Sequence, residues 1–169
     1  MVHGTWLRPD LLPGRPVEEA IADALCVRRA VFVKEQGFPA ETEPDALDGG
    51  CRHAVVYADG EPVAAGRLWW AAGDFHIGRV CVLAEWRGQG VGDALMRMLL
   101  HKALAHGARG VALSAQQRVL PFYARYGFAP TGDAYAEDGI PHQRMRADAN
   151  TLRALFDCQG CARNADCGP

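Results

Sequence analysis

Apolar residues change their spacing along this chain, and each change marks an element. Val17, Ile21, Ala24, Leu25, Val31 and Phe32 recur near helical spacing, with Arg28 on the same stripe, which predicts an amphipathic helix over residues 17–35. Residues 37–52 show little periodicity and carry several acids, so they read as loop. The spacing then shortens to two. Residues 53–57, 62–70 and 75–83 read as strands, joined by segments whose Asp59-Gly60 and Gly73-Asp74 pairs suit tight hairpins. These three strands form an antiparallel meander. A helical stretch over 91–105 with Gly107 as its C-cap leads into an apolar strand, residues 110–115. That strand–helix–strand order is a crossover, which places the strands before and after the helix parallel. A last helix over about 118–126 ends at Gly127, and residues 128–134 with 140–146 close the sheet as a further hairpin. The expected fold class is α/β, a mixed central sheet flanked by helices.

Composition narrows this picture. At 169 residues and 49% hydrophobic content, the chain has the size of one domain with a buried core. We expect a single domain over residues 1–147 and a Cys-containing tail over 148–169. The formal charge of -2 argues against nonspecific binding to nucleic acid or a membrane surface, which would want a basic surplus. No apolar run approaches the roughly 18 residues of a membrane span, and Met1-Val2-His3-Gly4-Thr5 lacks a charged-then-apolar export signal, so a cytoplasmic location is expected. Trp69 and Trp70 are neighbours on one strand and point to opposite faces, leaving one of them for a homodimer contact.

The strongest chemical signal is Arg87-Gly88-Gln89-Gly90-Val91-Gly92, set between the apolar run 77–83 and the helical stretch. A strand that ends in a glycine-rich turn and opens into a helix points backbone N–H groups outward, forming a nest for a pyrophosphate at the positive end of the helix dipole. Two phosphate motifs are excluded. A P-loop needs Lys then Ser or Thr after its last Gly, and Gly92 is followed by Asp93; the dinucleotide fingerprint needs a third Gly where Asp93 stands.

The pattern that remains, R-x-x-G-x-G filled by Arg87, Gly90 and Gly92, resembles the coenzyme A signature of the GNAT family of N-acyltransferases. Pro121-Phe122-Tyr123-Ala124-Arg125-Tyr126-Gly127-Phe128 is similar to the F-Y-x-x-x-G-F element of that family. Arg29 to Gln36, Glu43-Pro44-Asp45-Ala46-Leu47-Asp48 and Asp138-Gly139-Ile140-Pro141-His142 resemble its small bacterial ElaA-like subgroup. The resemblance covers roughly residues 17–146. It implies acetyl-CoA as acyl donor and a primary amine, on a small molecule or a protein, as acceptor. It further implies a bulged strand before the glycine turn, with the neighbouring strand splayed away to admit the thioester. Val80, Cys81 and Val82 then make main-chain contacts to the pantetheine arm, an N–H near Val82 polarises the acyl carbonyl, and Arg87, Gly88, Gln89, Gly90, Val91, Gly92 and Phe122 complete the cofactor site.

Proton balance points to further candidates. An alkylammonium with pKa about 10.4 costs roughly 4 to 5 kcal/mol to deprotonate at pH 7, so an alkylamine acceptor needs a base or water relay. Glu35, at the end of the first helix, is the first candidate base. Asp45 and Asp48 form a charged rim for a cationic substrate, and His53 and His142 are weaker substrate-side candidates, more consistent with structural roles. Expelling the thiolate is easier, since a thiol near pKa 8.5 is close to stable as the anion. Tyr123 matches the family tyrosine that protonates this sulfur.

The scattered Cys26, Cys51 and Cys81 suit reduced thiols. Cys158, Cys161 and Cys167 could offer soft ligands to a metal but lack a fourth, so no metal is expected. Two alternatives to an N-acyltransferase stand open. One is an acyl-homoserine-lactone synthase, which the Glu43-x-Asp45-x-x-Asp48 spacing and Gly66-Arg67-Leu68 resemble; the other is a noncatalytic acyl-CoA sensor.

Overall fold

A computed structural model describes residues 1–157. Its centre is an eight-stranded mixed sheet. β1 (Val2–Leu7) lies at one edge, followed by β2 (Arg52–Ala58), β3 (Glu61–Ala71), β4 (Asp74–Val82) and β5 (Gly110–Gln116). β8 (Ile140–Asp148) pairs with β5, and both β6 (Ala129–Pro130) and β7 (Tyr135–Glu137) pair with β8 on its outer side. β2, β3 and β4 form the expected meander. Its turns place Asp59 (φ 51) with Gly60 (φ 90) and Ala72 (φ 52) with Gly73 (φ 88) in the left-handed region, as two-residue hairpin loops require. The second pair is Ala-Gly rather than the expected Gly-Asp. Only β4 and β5 are parallel, joined by the crossover helix α3 (Val91–Ala105).

Helices cover both faces. On one side lie α1 (Val17–Ala20) and α2 (Ala22–Arg28), then a π-helical stretch, Arg29–Glu35. Ile21, Ala24, Leu25 and Val27 are buried there against Val55, Ala65 and Cys81 of the sheet. On the other side α3 buries Leu95, Met96, Leu99 and Leu100 against Ala54, Val56 and Leu68. α4 (Leu120–Ala124) and α5 (Ala149–Asp157) flank the far end of the sheet.

Beyond the Ala72-Gly73 turn the structure departs from expectation elsewhere: the helix expected over 118–126 is a 3-10 turn, Gln117–Val119, followed by the short α4, and in place of a strand over 128–134 the brief β6 and β7 pair separately with β8. The helix over 17–35 is broken at Ile21 (φ -121, ψ 24) and widens after Arg28, where Gln36 N–H donates to Val31 C=O across five residues. Strand β1 was not expected: as an edge strand it is exposed over its first half, half-buried over its second, and carries no clean alternation. Of the expected tail from residue 148, Asp148 ends β8 and the next residues form α5, whose Leu152 is wholly buried in the main core, so the packed unit runs past residue 147. Trp70 is the exposed member of its pair at 55%, whereas Trp69 faces the cleft described below.

Candidate active site

The cleft originates in a fault in the sheet. β4 and β5 pair only from Phe75–Val111 to Ile77–Leu113, although β4 continues to Val82 and β5 to Gln116. Beyond Ile77 the two strands part. The cause is a bulge in β4: Ala65 faces Cys81 and Arg67 faces Gly78, so β4 carries one more residue than β3 over this interval. Arg79 sits in it with φ 52. Leu83 N–H donates to Val63 C=O of β3 (3.0 Å), and by strand alternation the Val82 N–H and C=O face the opposite way, into the gap. The opening is a cleft of about 1110 Å³.

One end of the cleft is the N-terminus of α3. Gly90 caps it at φ 81, and Ala94 N–H is the first to bond back, to Gly90 C=O (3.0 Å). The amides of residues 91–93 therefore have no acceptor within the helix. No side chain caps them. A Cβ on Gly90 would have nothing within 4 Å, so its backbone conformation demands glycine, whereas a Cβ on Gly92 would meet the Phe122 ring at 3.5 Å, an ordinary contact. Gln89 folds its side chain onto Glu85 C=O (2.6 Å) and Val91 is buried in the core, so these two can offer a ligand main-chain groups only. The Asp93 carboxylate is occupied by Tyr126 Oη (2.5 Å) and Arg97 Nε (2.7 Å) and does not oppose an anion as a free charge would. Arg118 and Arg125 add cationic groups to the wall.

Arg87 is already engaged. Its Nε donates to Val82 C=O (2.9 Å), and Nη1 and Nη2 donate to Glu35 Oε1 and Oε2 (2.8 and 2.6 Å). Hydrogen bonding from Arg87 holds the Glu35 carboxyl below the usual range. In this arrangement Glu35 is an ion-pair partner rather than a free base.

Tyr123 is buried in the cleft wall, edge-on to Phe122 and Phe128 (ring centroids 5.1 and 6.2 Å). Burial pushes its phenol well above the ordinary tyrosine value, so at neutral pH it keeps the proton it would give. Cys81 turns its thiol to the helix side, toward Ala65 C=O (3.7 Å), and burial pushes it up to about 12. It offers no thiolate nucleophile, only main chain. His142 is buried in the cleft lining, stacked on Tyr135. Its Nδ1–H donates to Ile140 C=O (2.8 Å), which leaves Nε2 as an acceptor.

The acids of the loop do not form a rim. Asp48 is wholly buried, gripped by Arg28 through two bonds (2.8 and 2.9 Å) and by Arg67 Nη1 (2.8 Å). Burial alone would raise its carboxyl, but the Arg28 contact and its neighbours outweigh this and hold it far below the usual range. Asp45 bonds Arg67 Nη1 (2.6 Å) and Arg79 Nη2 (2.9 Å). His53 is buried, with Nε2–H donating to Asp48 C=O (3.0 Å), and burial lowers its pKa, so it is a neutral structural residue. The sequence reading missed Glu43 and Arg79, which both line the cleft and contact each other. The available signal was Arg79 itself, a charge interrupting an apolar strand. Among the described residues no group of His, Cys, Asp or Glu could hold a metal ion; Cys158, Cys161 and Cys167 lie outside the described residues. No helix of the described residues is long and apolar enough to cross a membrane.

Comparison with known proteins agrees with this geometry. The model of an acetyltransferase (GNAT) domain matches residues 17–149. The uncharacterized N-acetyltransferase YjcF of Bacillus subtilis is 42% identical over 132 residues, covering 78% of this chain and 94% of its own. The crystal structure of Escherichia coli ElaA superposes with a TM-score of 0.75 at 32% identity, covering 88% of this chain and all of its own. BjaI, a CoA-dependent acyl-homoserine lactone synthase, shares the fold at 19% identity and a TM-score of 0.71, covering 94% of this chain and 88% of its own. The chain belongs to the GNAT family of N-acetyltransferases.

Proposed function

We propose that the protein moves an acyl group, acetyl in the first instance, from its coenzyme A thioester directly to a primary amine on a small molecule or a protein. The observation that carries this reading is the parting of β4 and β5 beside the uncapped N-terminus of α3. A thioester arm fits the gap between the strands while its pyrophosphate takes the amides of residues 91–93, with Arg87 exchanging Glu35 for phosphate. The Val82 N–H faces the acyl oxygen and stabilises the charge that develops when the amine nitrogen attacks the carbonyl carbon. As the carbon–sulfur bond breaks, the Tyr123 phenol gives its proton to sulfur. The amine's surplus proton leaves through water to Glu35, freed from Arg87. His142 Nε2 accepts a hydrogen bond from the acceptor and orients it.

Calorimetric titration with coenzyme A, followed by detection of free thiol from acetyl-CoA across a panel of amines, tests this reading. Amine-dependent thiol release is the expected result. Binding without release under every amine would make the protein an acyl-CoA sensor, lactone formed from S-adenosylmethionine would make it a lactone synthase, and absence of binding would overturn the reading entirely.

A further inference from the structure

We propose that Arg79 is a positioning residue, clamping the β4 bulge so that the adjacent main chain meets the thioester carbonyl; this rests on the acyl-CoA reading above. Arg79 and Val80 together face Gly66 in the bulge, and Arg79 holds a positive φ of 52 away from any hairpin turn, a strained conformation for a residue other than glycine. The compensation is visible on the helix side of the sheet. Arg79 Nε pairs with Glu43 Oε1 (2.7 Å), Nη2 donates to Asp45 Oδ2 (2.9 Å) and reaches Thr42 C=O (3.5 Å), and the guanidinium lies over the Phe32 ring (5.9 Å).

Each of these acceptors is itself held. Glu43 pairs with the buried Arg28, Asp45 accepts from Arg67, and Asp48 ties Arg28 to Arg67 beneath them. α2, β3, the 42–48 loop and the bulge are thereby joined through three guanidiniums and three carboxylates. The cluster balances these six charges against one another, while Arg29 donates alongside to Glu43 C=O (3.1 and 3.0 Å). It is a rigid anchor in which one guanidinium, Arg79, reaches the strand that borders the gap. The peptide after Arg79 carries the Val80 N–H; the Arg79 backbone angles fix its orientation and, through it, the course of β4 to Val82, whose N–H the acyl-CoA reading sets at the carbonyl. Gly78, the preceding residue, leaves room on the same side: a Cβ there would stand 3.1 Å from the Trp69 ring.

The carbonyl signal of [1-13C]acetyl-CoA, bound in the absence of amine, reads this positioning directly. In the wild type it moves downfield from the free thioester. In Arg79→Leu the displacement falls by half or more while calorimetric affinity for coenzyme A stays within threefold, because the pyrophosphate site at α3 is untouched. Arg79→Lys keeps the charge that the buried carboxylates need but lacks the fork, and gives the same loss if Arg79→Leu does not fold. A displacement unchanged in the folded variant, or no displacement in a wild type that binds coenzyme A, overturns the proposal and leaves the acyl-CoA reading standing. A wild type that binds no coenzyme A overturns both.

Discussion

Glu35 and Arg87 meet as a two-bond fork across the mouth of the cleft, carboxylate to guanidinium at 2.8 and 2.6 Å. Glu35 ends the π-helical stretch, Arg87 opens the glycine turn, and both are partly exposed. In the proposed function a cofactor phosphate takes the place of this carboxylate on Arg87. Replacing the carboxylate with an uncharged amide removes that competition. Half-exposed ion pairs are worth roughly 0.2 to 1 kcal/mol, so Glu35→Gln is expected to tighten coenzyme A binding about 1.4- to fivefold in calorimetry. Affinity for pantetheine, which has no pyrophosphate, should not change. Weaker coenzyme A binding in this variant would contradict the competition.

The two glycines of the turn are expected to behave differently. Gly90 holds φ 81, so Gly90→Ala forces a side chain into the left-handed region at a cost of about 1 to 2 kcal/mol. Gly92 lies within α3 at an ordinary helical conformation, and an added methyl meets the Phe122 ring at 3.5 Å. Gly92→Ala should leave stability unchanged or raise it by up to about 1 kcal/mol, since alanine is the better helix former. Denaturant midpoints of the two variants check this. Arg87→Ala combined with Gly90→Val is expected to abolish coenzyme A binding.

Tyr123→Phe is expected to lower turnover by about ten- to hundredfold, below the larger effects of general acids on poorer leaving groups, because a thiol departs readily. Coenzyme A affinity should be nearly unaltered. Burial holds the Tyr123 proton in place above the ordinary tyrosine value of 10, so turnover should show no alkaline decline from this group up to about pH 10. A turnover equal to wild type would remove the phenol from the chemistry.

Acid stability follows from the buried network. Asp45 and Asp48 have folded-state pKa values below the reference of 3.8, because Arg67 and Arg28 outweigh the opposing effect of burial. A carboxyl with a depressed folded pKa contributes stability above its unfolded value and loses it as pH falls. Unfolding free energy should therefore be flat with respect to these groups above about pH 5 and fall steeply below about pH 4. In Asp45→Asn the slope below pH 4 should be shallower, measured by denaturant titration at successive pH values.

Much of the site could be seen in the residues because its parts are local. Gly90 and Gly92 in their spacing, the helix start at Val91 and the Phe122-Tyr123 element each lie within a few positions of one another, and the structure puts them along one cleft. The roles of the acids were not visible in the same way. Asp48, expected at a rim, is wholly buried, and Glu43, passed over, lines the cleft. Nothing in the run Glu43 to Asp48 says which carboxylate meets Arg28, Arg67 or Arg79, since these guanidiniums arrive on α2, β3 and β4.

By itself the sequence determined the strand and helix pattern of the meander and crossover, the tight hairpin at Asp59-Gly60, and the phosphate-like turn, since periodicity and turn preference act between near neighbours. Only the tertiary structure decided that 17–35 breaks at Ile21 and widens past Arg28, that residues 2–7 and 149–157 join the domain, and that Glu35 closes on Arg87. It also decided which charges are buried. A carboxylate's pairing is set when distant segments exclude water around it, and that desolvation belongs to the packed fold rather than to any stretch of chain.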